Sequence, residues 1–244
     1  MAGARRGDRE GHVLGLQTLY IGHHISDKVG YREDRLQART NKIGTGLGRK
    51  GIETRARLLT ATKDLLQDTS PFHLTAAAIA KAAKTAPATL YVYFSDVQDI
   101  LYALAVETRD AFSRLAEEYS TRFLDPAAYE QDALDFVETF NAIYKEHRHV
   151  LQYRSLEADR GNQRFVDIQM TNAVPLVEQL ARAIKQAKPA TRGREAFADA
   201  VVLYCAMERL ASLRYQFPPD RPGPSADELD RAQARIIARH LIAS

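Results

Sequence analysis

A chain of 244 residues with 45% hydrophobic content is long enough to bury a real core as one large domain or two small ones. No run of about 18 apolar residues occurs and the charged start lacks a signal peptide's apolar stretch, so neither a membrane span nor export is expected, and the cytoplasm is the expected location. The net charge of +3 is unevenly spread: residues 1–95 hold 15 Lys/Arg against 8 Asp/Glu, and the remainder 19 against 23. A basic front on an acidic back suits a polyanion partner for the front alone, although a merely basic tail gives the same balance.

Residues 1–48 are rich in Gly, Arg and polar side chains and read as a basic, flexible extension, with a short helix expected over 14–25. From Ile52 the pattern is helix after helix. The first is expected over 53–68, with Ala56, Leu58, Leu59, Thr62, Leu65 and Leu66 as its apolar stripe, stopped by Asp68-Thr69-Ser70-Pro71. Thr75 is a good N-cap for a short helix over 76–83, and Pro87 fits the first position of another that runs to Phe94. Asp96 caps a long helix over 96–123. Further helices are expected over 127–146, 147–159, 163–187, 193–216 and 226–243, the last opened by a Ser225/Glu228 capping box. Pro175 is expected to kink or split the helix that contains it.

The segment 75–94 carries the function. Two short helices joined by three or four residues, the first lined with alanines that permit close approach, form a helix-turn-helix whose second helix enters the major groove. Leu90 and Phe94 are four apart and face inward, leaving Ala88, Tyr91, Val92 and Ser95 outward. Thr75, Lys84, Tyr91 and Tyr93 are then suited to phosphates, and Thr85, Pro87, Ala88 and Val92 to base edges.

The run Ile79-Ala80-Lys81-Ala82-Ala83-Lys84-Thr85-Ala86-Pro87-Ala88-Thr89-Leu90-Tyr91-Val92-Tyr93-Phe94, preceded by Gly48-Arg49-Lys50-Gly51-Ile52-Glu53-Thr54-Arg55, resembles the DNA-reading segment of the TetR family of regulators. The resemblance implies an all-α protein: a three-helix DNA-binding domain over 49–95, and a helical effector-binding and dimerisation domain over 96–244. It also implies a repressor released from a palindromic double-stranded operator by a small molecule, and adds Arg49, Lys50 and Thr89 to the DNA-contacting positions. Three positions depart from the family pattern. Lys84 stands for the turn glycine, Ala86 for a capping serine, and Ala88 for a small glycine within the recognition helix. Lysine tolerates a left-handed backbone less well than glycine, and alanine caps poorly.

The helix over 193–216 is apolar nearly all round and must be covered on two sides, by its own domain and by either a second subunit or more of the same core. Leu229, Ala232, Ile236, Ile237 and Leu241 of the last helix are its expected partners. Aromatics recur on the middle helices, and an apolar or aromatic effector is expected among Phe112, Phe136, Phe140, Tyr144, Tyr153, Phe165, Met170 and Tyr204. Cys205 excludes an internal disulfide and is expected to be buried. Histidine spacings suit no metal, so neither metal nor cofactor is expected, and Arg154, Glu157, Asp159 and Arg160 are read as surface ion pairs. The competing readings are an enzyme or metal-bundle protein, disfavoured by the lack of a clustered acid/base set, and a helical small-molecule binder or adaptor with no DNA role.

Overall fold

The computed structural model describes residues 46–215 and 223–242, so the helix expected over 14–25 lies outside the described residues. Among those residues every regular element is helical.

The α1 helix, Arg49–Leu65, starts earlier than its apolar stripe suggests and buries Leu58, Leu59, Ala61 and Thr62. Ala56, expected on that stripe, is exposed. The Thr62 hydroxyl, buried among these apolar neighbours, donates to the Leu58 carbonyl at 2.8 Å, which makes its burial tolerable. Ser70 then caps a 3₁₀ turn, Pro71–His73.

The α2 helix, Ala76–Ala82, is capped as expected: the Thr75 hydroxyl accepts from the Ala78 amide at 3.1 Å. The α3 helix, Pro87–Tyr93, has proline in its first turn and no side-chain cap from Ala86. Leu90 and Phe94 are fully buried, and they seat α3 on α1 and α2.

The long helix expected over 96–123 is two helices. The α4 helix, Val97–Glu107, is capped by Asp96, whose carboxylate accepts from the Asp99 amide at 2.7 Å. The α5 helix, Arg109–Glu118, follows a break at Thr108. Nothing local in the sequence forces this break. The buried Thr108 hydroxyl donates to the Ala105 carbonyl at 2.7 Å and accepts from the Asn172 side chain at 2.8 Å, a bond made across 64 residues. After α5 a 3₁₀ turn, Tyr119–Thr121, ends the segment, and Phe123 takes a left-handed φ of 59° with its amide bound to Asp132 at 2.9 Å.

The α6 helix, Tyr129–Asp159, is one 31-residue helix where two were expected. The charged run at 145–149 is only a solvated stretch of it, since it contains no proline or glycine to stop the ladder. The α7 helix, Gln163–Ala187, runs through Pro175 as a single helix and is not split. The α8 helix, Gly193–Leu213, and the α9 helix, Ala226–Leu241, complete the chain, α9 opened by the full Ser225/Glu228 capping box.

Two apolar clusters hold these helices. One gathers α5 to α9 around Phe112, Phe136, Phe140, Tyr144 and Tyr204. The other joins α1, α2 and α3 to α4 and continues into Val150 and Tyr153 of α6 and Phe165 and Ile168 of α7. On α8 one face is buried, whereas Val202 is 68% exposed and Cys205, expected to be buried, lies on the exposed side. On α9 Ile237 and Leu241 belong to the core of this chain, so of the expected partners it is Ile236, 60% exposed, that faces outward.

Candidate nucleic-acid interface and effector region

The turn between α2 and α3 sets the angle of the recognition helix. Lys84 adopts a φ of 53°, the left-handed conformation that glycine usually supplies. Its amide bonds to the Lys81 carbonyl at 3.1 Å, and the Thr85 amide reaches the Ala80 carbonyl at 2.9 Å. This pair of reversed bonds is a Schellman C-cap, so the helix-turn-helix geometry survives the loss of the turn glycine.

Beyond that turn, Pro87 and Ala88 are exposed, Tyr91 is 45% exposed and Val92 48%. Thr75, Lys84, Arg49 and Lys50 are exposed as well, whereas Thr85, Thr89 and Tyr93 are half-buried. Tyr93 packs its ring against the apolar cluster beneath α3. An apolar anchor below and a wet row of Tyr, Val, Ala and Pro above is the arrangement of a helix that meets something outside the chain. Arg55 is not a surface cation here: its guanidinium lies 5.0 Å from the centre of the Phe94 ring. Burial lowers its pKa, with Glu107 and Asp99 opposing that shift. It braces α3 from within.

The aromatic residues expected to hold an effector fall into two places. Phe112, Phe136, Phe140, Tyr144 and Tyr204 share the C-terminal cluster, with Phe112–Phe140 rings 5.7 Å apart and Phe140–Tyr204 rings 6.1 Å apart. Tyr153 and Phe165, 5.6 Å apart, sit instead in the cluster under the DNA-reading helices. Met170 is half-buried on α7. Burial raises the phenol pKa of Tyr144, and that of Tyr204 well above its ordinary value; the Glu208 carboxylate adds to both rises and Arg154 opposes them. Both phenols therefore stay protonated at any ordinary pH.

Sequence reasoning missed the chemistry beside them. Arg154, read as a surface residue, is buried and forms an ion pair with Glu208 of α8. Glu157 is also buried; it pairs with Arg160 at 3.1 Å and accepts from Gln98 of α4 at 3.0 Å. A run of alternating charges near a helix end gives no hint of a partner 54 residues away. A cleft of about 560 Å³ opens where residues 67–72 meet α6 and α8, its lining including Phe72, Tyr153, Ser155, Leu156, Arg209 and Ser212. The Phe72 and Tyr153 rings are 5.3 Å apart across this junction.

A helix-turn-helix with an outward recognition helix, packed on further helices, is the arrangement of a DNA-binding transcriptional regulator. Residues 58–104 match the family of bacterial regulatory proteins, tetR family. The chain therefore carries a segment like the DNA-reading part of that family. Its fold is shared with the fatty acid degradation regulator FadR from Bacillus halodurans, at 14% identity over 82% of this chain and 98% of that one, with a TM-score of 0.57. It is shared too with the TetR-family regulator PfmR from Thermus thermophilus, at 19% identity over 75% and 97% of the two chains and a TM-score of 0.53. A TetR-family transcriptional regulator from Bordetella parapertussis matches at 16% identity over 75% and 93%, with a TM-score of 0.50. No curated protein sequence matches the chain.

Proposed function

We propose that the chain is a homodimeric repressor that leaves a palindromic operator when a small apolar or aromatic effector binds, with no catalytic role and with the cytoplasm as its place of action. The observation that carries the DNA part is the exposed face of α3. Tyr91 and Val92 stand outward from a helix whose inner residues, Leu90 and Phe94, are wholly buried, and core packing gives no reason for that exposure. On this reading Arg49, Lys50, Thr75, Lys84, Thr89, Tyr91 and Tyr93 meet phosphates, and Thr85, Pro87, Ala88 and Val92 lie nearest the bases.

The dimer reading is supported by the outer faces of α8 and α9, where Val202 and Ile236 are exposed together with Ala198, Cys205 and Ala206. His240 of α9 and Asp199 of α8 are 3.0 Å apart, so the two helices touch at this point, which supports reading their outer faces together. The effector part rests on the aromatic cluster Phe112, Phe136, Phe140, Tyr144 and Tyr204, with Tyr153, Phe165 and Met170 at the DNA-domain end.

The test begins with DNA from upstream of the chain's own gene. Binding should weaken steeply with salt, and Lys84→Ala should lower affinity for every sequence while reducing the salt slope by about one. A thermal-shift screen of apolar and aromatic compounds should return hits that also release the operator. Phe140→Leu should then blunt the response and leave DNA affinity intact. Hits that stabilise the protein without releasing DNA contradict the switching part, and salt-independent binding contradicts the DNA part.

A further inference from the structure

Behind the junction cleft lies a cation whose hydrogen-bonding capacity is only partly used. Arg154 is 1% exposed; its Nη2 donates to Glu208 and, at 3.3 Å, to the Ser155 hydroxyl. Nε and Nη1 of the same guanidinium are sealed from solvent and have no acceptor. A guanidinium carries five N–H donors and stays charged at any ordinary pH. The pair with Glu208 therefore balances its charge but leaves part of the fork unsatisfied. Buried donors without acceptors are costly and rare in native interiors, and they mark a place where an acceptor belongs.

The cleft meets this guanidinium through one lining residue, Ser155. Ser155 and Ser212 both line it; the first accepts a hydrogen bond from Arg154, and the second hydrogen-bonds with Tyr144. These small side chains are thus shared between the wall of the cleft and the buried cluster, and each reorients by a single rotamer change. Also on the cleft wall, Phe72 and Leu156 are 51% and 39% exposed and, with Pro71 and Tyr153, give the cleft an apolar side. Asp68 and Asp159 line the cleft along with Arg209. An anion is therefore drawn by the free donors of one guanidinium and not by a positive field.

We propose that this cleft binds an amphipathic carboxylate, its headgroup reaching past Ser155 to the unused Nε and Nη1 donors of Arg154 and its apolar body lying against Phe72 and Leu156. A volume of about 560 Å³ suits a small organic acid. The carboxylate and guanidinium form charge-assisted hydrogen bonds that a neutral analogue cannot match. Phe72 lies on the 3₁₀ turn between α1 and α2 of the DNA-reading unit and Leu156 lies on α6, so the occupant touches both sides of the junction and couples them. This inference rests on the effector-responsive reading above but seats an apolar acid in the junction cleft, which shares only Tyr153 with the aromatic residues proposed there for the effector.

Decanoate and decanamide, which share one apolar body and differ in charge, are titrated calorimetrically into the full-length protein. Decanoate should bind about tenfold tighter or better. Arg154→Lys keeps a charge for Glu208 but removes the fork, and should bring decanoate to the level of decanamide. Phe72→Ala, at an exposed position, should weaken both equally. Equal binding of the two probes to the wild type overturns the proposal, as does an unchanged decanoate affinity in Arg154→Lys. Should that variant not fold, the wild-type ratio together with Phe72→Ala decides. Operator release is followed in parallel. If a neutral compound releases DNA while decanoate does not bind, only the acid assignment falls. If decanoate binds as stated without releasing DNA, the site stands and the switching reading falls.

Discussion

Lys84 is a residue with a β-carbon in a place shaped for glycine. The left-handed conformation costs such a residue about 1–2 kcal/mol, because Cβ crowds the following carbonyl. Glycine would remove that cost but return about 0.5–1 kcal/mol through its freer unfolded chain. The two bonds that define the turn, Lys84 to Lys81 and Thr85 to Ala80, involve backbone only and survive the change. Lys84→Gly should therefore stabilise the fold by about 0.5–1 kcal/mol, which for a chain of this size raises Tm by about 1–4 °C. The same substitution deletes an exposed cation proposed to meet phosphate, so DNA affinity should drop and the salt slope lessen by about one. Lys84→Asn, which tolerates the conformation, separates backbone from charge, since it should lose the DNA contact with little change in stability. Urea unfolding followed by circular dichroism gives the first quantity, and operator binding at stepped salt gives the second. A glycine variant less stable than the wild type would refute the strain account, and an undiminished salt slope would remove Lys84 from the interface.

Thr75→Ala removes the cap of α2 and should cost about 1 kcal/mol of stability, read as a lower urea midpoint at unchanged slope. Ile236→Asp and Ile237→Asp, adjacent in sequence, should behave oppositely: the first should yield a folded monomer in sedimentation, and the second should fail to fold because its side chain is only 2% exposed. Two folded monomers would show that the packing of α9 on this chain is wrongly assigned. Tyr91→Phe should weaken operator binding without altering Tm, since the Tyr91 side chain stands in solvent; equal affinity removes its hydroxyl from the interface.

The DNA-reading unit was legible because its signals are local. A threonine cap, a proline at a first helical turn and two inward residues four apart each act within one or two turns of helix, and all three proved to be in place at Thr75, Pro87, Leu90 and Phe94. The break at Thr108 was illegible, because Asn172 supplies one of its hydrogen bonds from another helix. Arg154 was misread for the same reason. Its neighbours in sequence suggested surface pairs, but its partner sits on α8, and a side chain's depth is decided by the helix that covers it. On α9 the pattern showed that the helix had an apolar face but not that Ile236 and Ile237 divide between outside and inside, which depends on its rotation against α6.

The apolar cluster beneath the recognition helix does not stop where α3 ends. Leu58, Leu90 and Phe94 share it with Ile100, Leu101 and Leu104 of α4 and with Tyr153, Phe165 and Ile168 of the helices beyond. A transplant of this DNA-reading unit onto a TetR-family regulator would cut through packed side chains if the joint were made at residue 95. Such a chimaera needs the inner face of α4, and matching residues at the three distal positions, to travel with the unit. The same shared packing predicts that amides of α3 exchange with solvent at a rate tied to the opening of α6 and α7, so the grip on DNA and the cohesion of the effector end rise and fall together.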